Sequence, residues 1–483
     1  MSRRLLGLLG LCAALAGCAL MREEGSLTPL RDPAQIRLAD DLRLARDGWP
    51  EARWWSRYQD PQLDQLIEMA FAHAPSIAIA RSHIEQARAQ ADTVKSLTGV
   101  QVELTALVNR QHVSANGFLG PFAENQPALG LTGPWYTQGI VGLGGAYQLD
   151  LWGRQRDQVD AALGVRNARQ AEAAWIELEV ASGVAQLYFQ LQTAQQLLAE
   201  LQQMSSIAGE AVAAHQARVD RGLEAEPLKQ LAQSNKALID RQVVALQSQA
   251  QQLREAMRAL IGVGAEVSLP LSPRPLPERT YGVPQTLGYE LLARRADLQA
   301  MRWLVQASYS NIDAAKAAFY PSFDIKAFFG ADALHMGDLW DHDSRQMNLI
   351  PGMSLPIFDG GRLNAELANA RSLSNGLVEQ YNQAVLDAVR DVAVAGSRLQ
   401  GLKSEERLQQ QRIDNLRFNR DSAEAHYRRG LLDRVSALEA NLPLLAEQSG
   451  LALLQGQRLA GEVALIKALG GGYRSSEDAT ASR

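Results

Sequence analysis

Two hydrophobic periods alternate along this chain, and the switch between them happens twice. Val100, Val102, Leu104, Ala106 and Val108 fall in one phase; Gln101, Glu103, Thr105 and Asn109 fall in the other. A period of two puts the sets on opposite faces of a strand. Val141, Leu143, Tyr147 and Leu149 keep phase through the Gly-rich stretch from Gln138 to Asp150. Phe323, Ile325, Ala327 and Phe329 oppose Asp324 and Lys326, and Met347, Leu349, Met353, Leu355 and Ile357 oppose Gln346, Asn348 and Ser354. Four strands are therefore predicted. Tyr147-Gln148-Leu149-Asp150-Leu151-Trp152-Gly153-Arg154 closes the second strand, and Leu355-Pro356-Ile357-Phe358-Asp359-Gly360-Gly361-Arg362 closes the fourth. After each junction the pattern becomes helical, with no proline until Pro227 and Pro443 respectively.

The two junctions belong to a duplication. Arg154 and Arg362, Gly222 and Gly430, and Gly262 and Gly470 are each 208 positions apart. Lys95 and Lys316, just before strands, are 221 apart, so the first copy carries about 13 extra residues in the Gly- and Pro-containing loop from Gly117 to Pro134. Each copy reads as a short helix (Leu63 to His73; Thr286 to Arg294), a medium helix (Ser76 to Leu97; Asp297 to Ala318) and two strands. A very long helix, a turn at glycine and a returning helix of about 35 residues follow. The first long helix, Arg154 to about Asp220, would measure close to 100 Å. Leu187, Leu191, Ala194, Leu198 and Leu201 step by fours and threes along it as a coiled-coil seam. Leu246, Leu253, Met257 and Leu260 line the returning helix, and the remaining faces are rich in Gln, Ala, Glu and Arg.

Alternation alone favours a soluble half-buried sheet over a barrel wall. Closure and the N-terminus change the balance. Four strands of about 10 to 13 residues can cross a bilayer at a tilt, but about eight are needed to close a barrel. An open sheet edge is not viable in lipid, so a membrane role requires several chains to share one barrel around a polar lumen. Arg3 and Arg4 precede an apolar core from Leu5 to Leu15, and Leu15-Ala16-Gly17-Cys18 is a lipobox-like cleavage site. Cys18 is the expected lipidation site. Ala19 and Leu20 follow it, with no adjacent Asp, a pattern that resembles outer-membrane sorting. The other cysteine, Cys12, lies inside the signal, so no disulfide is expected. The charged stretch from Met21 to Glu51, with Pro29, Pro33 and Pro50, reads as a tether whose end is anchored by Trp54 and Trp55.

Composition excludes more than it specifies. The 48 basic and 53 acidic residues nearly cancel, which gives no reason to expect nucleic acid. Beyond the N-terminus no apolar run is long enough for a spanning helix. No phosphate loop, CxxC pair or Ser-His-Asp order is present, so no enzyme activity and no cofactor are expected. His335, Asp341, His342 and Asp343 could suggest a metal site, but an inter-strand loop of solvated side chains is the favoured reading.

The junction Leu149-Asp150-Leu151-Trp152-Gly153-Arg154 resembles that of the TolC-like outer membrane factors. Leu291-Leu292-Ala293-Arg294-Arg295-Ala296-Asp297-Leu298, Phe319-Tyr320-Pro321-Ser322, Pro356-Ile357-Phe358-Asp359-Gly360-Gly361-Arg362 and Tyr427-Arg428-Arg429-Gly430-Leu431 match further motifs of that family in order. Ala296 stands where the family has proline. The resemblance covers about residues 54 to 470, and the lipobox puts the chain in the lipoprotein branch. It implies an α+β fold: a trimeric outer-membrane β-barrel, four strands per chain and 12 in all, continued by a long α-helical barrel of antiparallel coiled coils in the periplasm. The implied segments are a signal peptide (1–17), a lipid-anchored linker (18–53), two repeats (54–262 and 263–470) and a disordered tail (471–483).

The resemblance also implies a function. A homotrimer anchored in outer membrane lipid through Cys18 would pass drugs or other small molecules received from a periplasmic adaptor protein and an inner-membrane pump of the RND, MFS or ABC type. A duct for protein secretion and a pore-free structural lipoprotein are the alternatives. The periplasmic gate maps to Tyr427, Asp433 and Glu439, with Ser436 where the family has an acid. Glu224 and Glu226 flank the first turn and could add charge. Asp433 could equally cap the returning helix, and Glu224 or Glu226 could favour a helix start. Gly222, Leu223, Gly430 and Leu431 form the tip turns expected to dock the adaptor.

Overall fold

A computed structural model of the chain describes residues 21–22, 26–31, 48–126, 131–278 and 293–474. Cys18 and most of the short helix expected from Thr286 to Arg294 lie outside the described residues. Contacts divide the chain into two compact units, each drawing on both repeats. Unit 1 is Met1–Pro29, Glu85–Asn167 and Trp303–Glu379; unit 2 is Leu30–Ile84, Ala168–Arg302 and Gln380–Arg483.

The sheet belongs to unit 1. Strands β1 (Gln101–His112), β4 (Trp135–Leu149), β5 (Ser322–Ala333) and β6 (Arg345–Ser354) pair antiparallel in that order. The extra stretch of the first copy, expected to be a loop from its composition, carries short elements of its own. It holds a short 3-10 turn and a two-residue hairpin, β2 (Asn125–Gln126) with β3 (Leu131–Thr132). Register carries the alternation across the sheet. Leu104 pairs with Leu143, Leu143 with Phe329 and Phe329 with Met347, so one row on one face is wholly apolar. On the other face lie Glu103 and Asn348, and Gln138 donates to Asp332 at 2.9 Å. Leu104, Phe329 and Met347 are all at least 60% exposed, because no layer of the chain covers them. Among the described residues, the outer strands β1 and β6 each have one edge unpaired within the chain.

At both junctions an aspartate starts the long helix. Asp150 accepts from the Arg156 backbone N–H (2.9 Å) beside α3 (Arg154–Asp220). Asp359 accepts from Gly361 N–H (2.9 Å) and Leu363 N–H (2.8 Å) at the start of α6 (Arg362–Arg428). These two N–H donors hold the Asp359 carboxyl below the usual range. Both helices have 67 residues, and the predicted limits of the first match those observed. Trp152 donates its indole N–H to the Pro321 carbonyl (2.7 Å) and stacks on Tyr320, tying the first junction to the entry of β5.

Unit 2 holds the main core. Helices α1 (Pro61–His73), α4 (Glu226–Ile261) and α8 (Asn441–Ala468) contribute Leu63, Leu66, Met257, Ile261, Leu459 and Val463; α3 adds Val184, Tyr188 and Phe189. Trp54, Trp55 and Tyr58 close it from a 3-10 turn, so the tryptophans do end the tether by burial. The coiled-coil seam holds where Leu191 and Ala194 meet Leu246, Ala250 and Leu253. Medium helices α2 (Pro75–Leu97) and α5 (Ala296–Ala317) complete the set. The duplication is visible at the helix ends. Gly262 presses against the His73 carbonyl and Gly470 against the Arg294 carbonyl, both at positive φ, where a Cβ would collide with backbone. The body runs past 470: Gly471 lies against Leu178 and Gly472 against the Glu51–Ala52 backbone.

The returning helices differ from the expectation in one respect. The first, α4, is continuous. The second carries a local irregularity at Ala440, between α7 (Arg434–Glu439) and α8: Ala440 keeps helical dihedrals (φ −62°, ψ −18°) and its N–H still reaches the Ser436 carbonyl at 3.1 Å, so the helical path continues. Pro443 has no N–H to give and its ring crowds the carbonyl four residues back. Asn441 Nδ2 donates to the carbonyls of Ala437 (3.0 Å) and Leu438 (3.2 Å), meeting acceptors that a regular helix would have used.

Candidate functional site

The two hairpin tips, both in unit 2, carry the candidate gate. Their turns are built alike. Gly222 (φ 67°) donates to the Val219 carbonyl and Leu223 to that of Arg218, each at 2.9 Å. Gly430 (φ 73°) donates to Tyr427 and Leu431 to His426, also at 2.9 Å. Glycine reaches this left-handed region without the Cβ penalty. Leu223 and Leu431 are each 68% exposed, side chains of the apolar kind standing free on a turn.

Behind the turns the repeats diverge. Ala225 starts α4 without a side-chain cap. Its counterpart in the second copy is Asp433, which caps α7 by accepting from the Ser436 N–H (3.1 Å) and hydroxyl (2.8 Å). The Ser436 backbone N–H, followed by its hydroxyl and Arg218, holds the Asp433 carboxyl below the usual range. The cap anticipated as the plain role of Asp433 is therefore present.

A cluster of polar and charged side chains joins the two hairpins of one chain. On α3, His215 and Arg218 sit one turn apart and face the same way. His215 Nδ1 lies 2.8 and 2.9 Å from the Glu224 carboxylate, and Arg218 Nε lies 3.4 Å from it. Across the hairpins, Arg218 Nη1 is 3.3 Å from Asp433 Oδ1 and His215 Nε2 is 3.6 Å from Glu439 Oε1. Arg434 reaches back to Glu210 at 3.5 Å. The carboxylate of Glu224 is only 6% exposed and His215 11%, so this pair is more shielded from water than an ordinary surface pair, whereas Asp433 and Glu439 are half exposed.

Of the residues singled out from sequence, the structure brings Asp433, Glu439 and Glu224 together. Ser436 joins through Asp433. Tyr427 stays outside the cluster, 39% exposed. Glu226 opens α4 and pairs locally with Lys229, which lowers its carboxyl from the usual range. His215 and Arg218 were missed. Their one readable signal is a histidine in an otherwise Gln- and Ala-rich helix end, three residues from an arginine and just before the Gly222 turn. In the β5–β6 loop, His335 stacks on Tyr136 at 14° and contacts Thr132, while His342 and Asp343 stay exposed. Among the described residues no cluster of three or more His, Cys, Asp or Glu is placed to hold a metal.

An outer membrane efflux protein family model matches residues 66–263 and 287–471. The chain belongs to the outer membrane efflux protein family. This efflux protein is 48% identical over 476 residues to the multidrug resistance outer membrane protein MdtP of Escherichia coli (strain K12), covering 98% of each chain. It is 40% identical over 462 residues to the putative multidrug resistance outer membrane protein MdtQ of Shigella flexneri, covering 95% of this chain and 96% of the other. Among solved structures, the outer membrane protein VceC of Vibrio cholerae aligns with a TM-score of 0.76 at 28% identity, over 88% of this chain and 100% of that one. The CmeC outer membrane channel of Campylobacter jejuni shares the fold, with a TM-score of 0.82 at 19% identity over 96% of each chain. The efflux protein is thus an outer-membrane channel component with the trimeric, tandem-repeat architecture of this family. The open four-stranded sheet is one third of its barrel.

Proposed function

We propose that this channel is the exit duct for drugs in a tripartite pump, anchored through acylated Cys18 and closed at rest by the tip cluster. The full-length similarity to MdtP, a protein named for multidrug resistance, supports drugs as the cargo. One observation carries the gate: His215 and Arg218 of the first hairpin reach Glu439 and Asp433 of the second. An adaptor seated on the exposed Leu223 and Leu431 turns would pull on the same loops that carry Glu224 and Asp433. Three-fold repetition turns Glu439 into an acidic ring that favours cations. Specificity for cargo stays with the inner-membrane pump, whose class is RND, MFS or ABC.

The test is single-channel conductance in a planar bilayer, wild type beside Glu439→Ala. A small cation-favouring conductance is expected, rising in the variant. A well-folded trimer with no conductance would overturn the duct. Restoration of drug tolerance to a strain lacking the gene tests the cargo; unchanged tolerance would refute it.

A further inference from the structure

The linker after the signal does not cross the surface at random. Three of its backbone N–H groups are met by three asparagines of one helix. Arg22 N–H donates to Asn364 Oδ1 (3.0 Å), Thr28 N–H to Asn375 Oδ1 (2.9 Å) and Arg31 N–H to Asn382 Oδ1 (2.8 Å). The asparagines are spaced by 11 and then 7 residues along α6, each close to a whole number of turns, so they share one face. From Thr28 to Arg31 the two segments also keep step: three extended residues span about 10 Å, and the seven helical residues from Asn375 to Asn382 rise about 10 Å. Thr28 precedes Pro29, which favours the extended backbone this match needs.

We propose that Asn364, Asn375 and Asn382 form a docking track for the backbone of the same chain at Arg22, Thr28 and Arg31, and that the track delivers the acylated N-terminus to the head of α6. The chemistry is recognition of backbone by side-chain carbonyls. It reads an extended segment without reading its side chains, as an added strand is read by a sheet edge. The end of the track fixes the destination. Asn364 is the third residue of α6, close in sequence to the end of β6. Cys18 is four residues before Arg22, a reach of at most about 14 Å. A lipid on Cys18 is then inserted beside the strands of its own chain, not wherever a free tether of this length could wander. The delivery half of this inference rests on acylation of Cys18 as proposed above; the track itself does not.

Hydrogen exchange of the linker amides in the purified trimer tests it, comparing wild type, the triple variant Asn364→Leu, Asn375→Leu, Asn382→Leu, and the triple Asn→Asp variant at the same positions. Aspartate keeps the accepting oxygen and leucine does not. Exchange at Thr28 and Arg31 is expected to be about fivefold or more faster in the leucine variant, as loss of one hydrogen bond implies, and near wild type in the aspartate variant. Equal exchange in all three would overturn the track. So would an aspartate variant as fast as the leucine one, since it would mean the asparagines act other than as acceptors. A Cys18→Ser protein exported without lipid should retain slow Thr28 exchange; labelled palmitate on the wild type reads acylation separately. For delivery, cysteines placed at Thr28 and Asn375 should cross-link within one chain in unlipidated Cys18→Ser and lipidated protein alike. A cross-link that forms only between chains would overturn delivery in cis.

Discussion

Asp433 makes two contacts whose removal can be separated. It caps α7 through the Ser436 N–H, and it faces Arg218 across the hairpins at 3.3 Å with both side chains half exposed. Loss of a side-chain cap costs about 1 kcal/mol. An exposed ion pair contributes roughly 0.5 kcal/mol. Asp433→Ala removes both, about 1.5 kcal/mol per chain. Asp433→Asn keeps a cap of similar quality and loses only the pair. If the three chains of the trimer release together, the alanine variant shifts the closed-to-open ratio by about 4.5 kcal/mol, on the order of a thousandfold, and the asparagine variant by about tenfold. If each chain opens alone, the alanine shift per chain is only about tenfold. Arg218→Ala should exceed Asp433→Asn, because it also strips a partner from Glu224, whose carboxylate is 6% exposed. Open probability in planar bilayers measures all three, and the size of the alanine effect distinguishes concerted from independent opening. An alanine variant as closed as wild type would refute the latch; an asparagine variant as leaky as alanine would show that the cap plays no part.

Further outcomes follow from other features. Pro443→Ala together with Asn441→Ala restores a backbone donor and should make the helix regular through Ala440, lowering open probability; unchanged gating would separate this irregularity from the gate. Gly222→Ala places a Cβ in the left-handed region with open space around it, so a modest cost of about 1–2 kcal/mol per chain is expected from backbone strain alone, read as weaker adaptor cross-linking with the trimer intact. Leu104→Arg, on the apolar face, should lower trimer yield in outer-membrane fractions by costing about 2–4 kcal/mol per chain near the bilayer middle, whereas Glu103→Arg on the opposite face should leave yield intact and reduce cation preference. Burial beside Arg458 and Glu406 pushes the Glu462 carboxyl up to about 7. The folded protein therefore binds that proton more tightly than the unfolded chain. Its contribution is full below about pH 4.5 and lost as pH rises through 7, on the order of 3 kcal/mol. Melting should be higher at pH 5 than at pH 8, and Glu462→Gln should flatten the difference.

Much of the fold was legible because it depends on local periods. The 208-residue offset found both turn glycines and both helix ends, and period-two alternation survives as the Leu104-Leu143-Phe329-Met347 row. The irregularity at Ala440 was missed although Pro443 was in view. A proline near a helix start is tolerated, and the Asn441 side-chain bonds to the Ala437 and Leu438 carbonyls are not encoded in any period. The tip cluster was half visible. Asp433 and Glu439 are near a turn in sequence, but His215 and Arg218 enter only through the pairing of two hairpins more than 200 residues apart. That pairing is set by long-range packing, which no local period encodes.

Asp433 caps the return helix of the second copy, and Ala225, its counterpart 208 residues earlier, has no side chain that can do so. The trimer therefore presents two kinds of hairpin tip, three of each. A ring of six tips is thus a ring of three unlike pairs, and a docking protein that reads it would face a three-fold pattern where identical repeats would have offered a six-fold one.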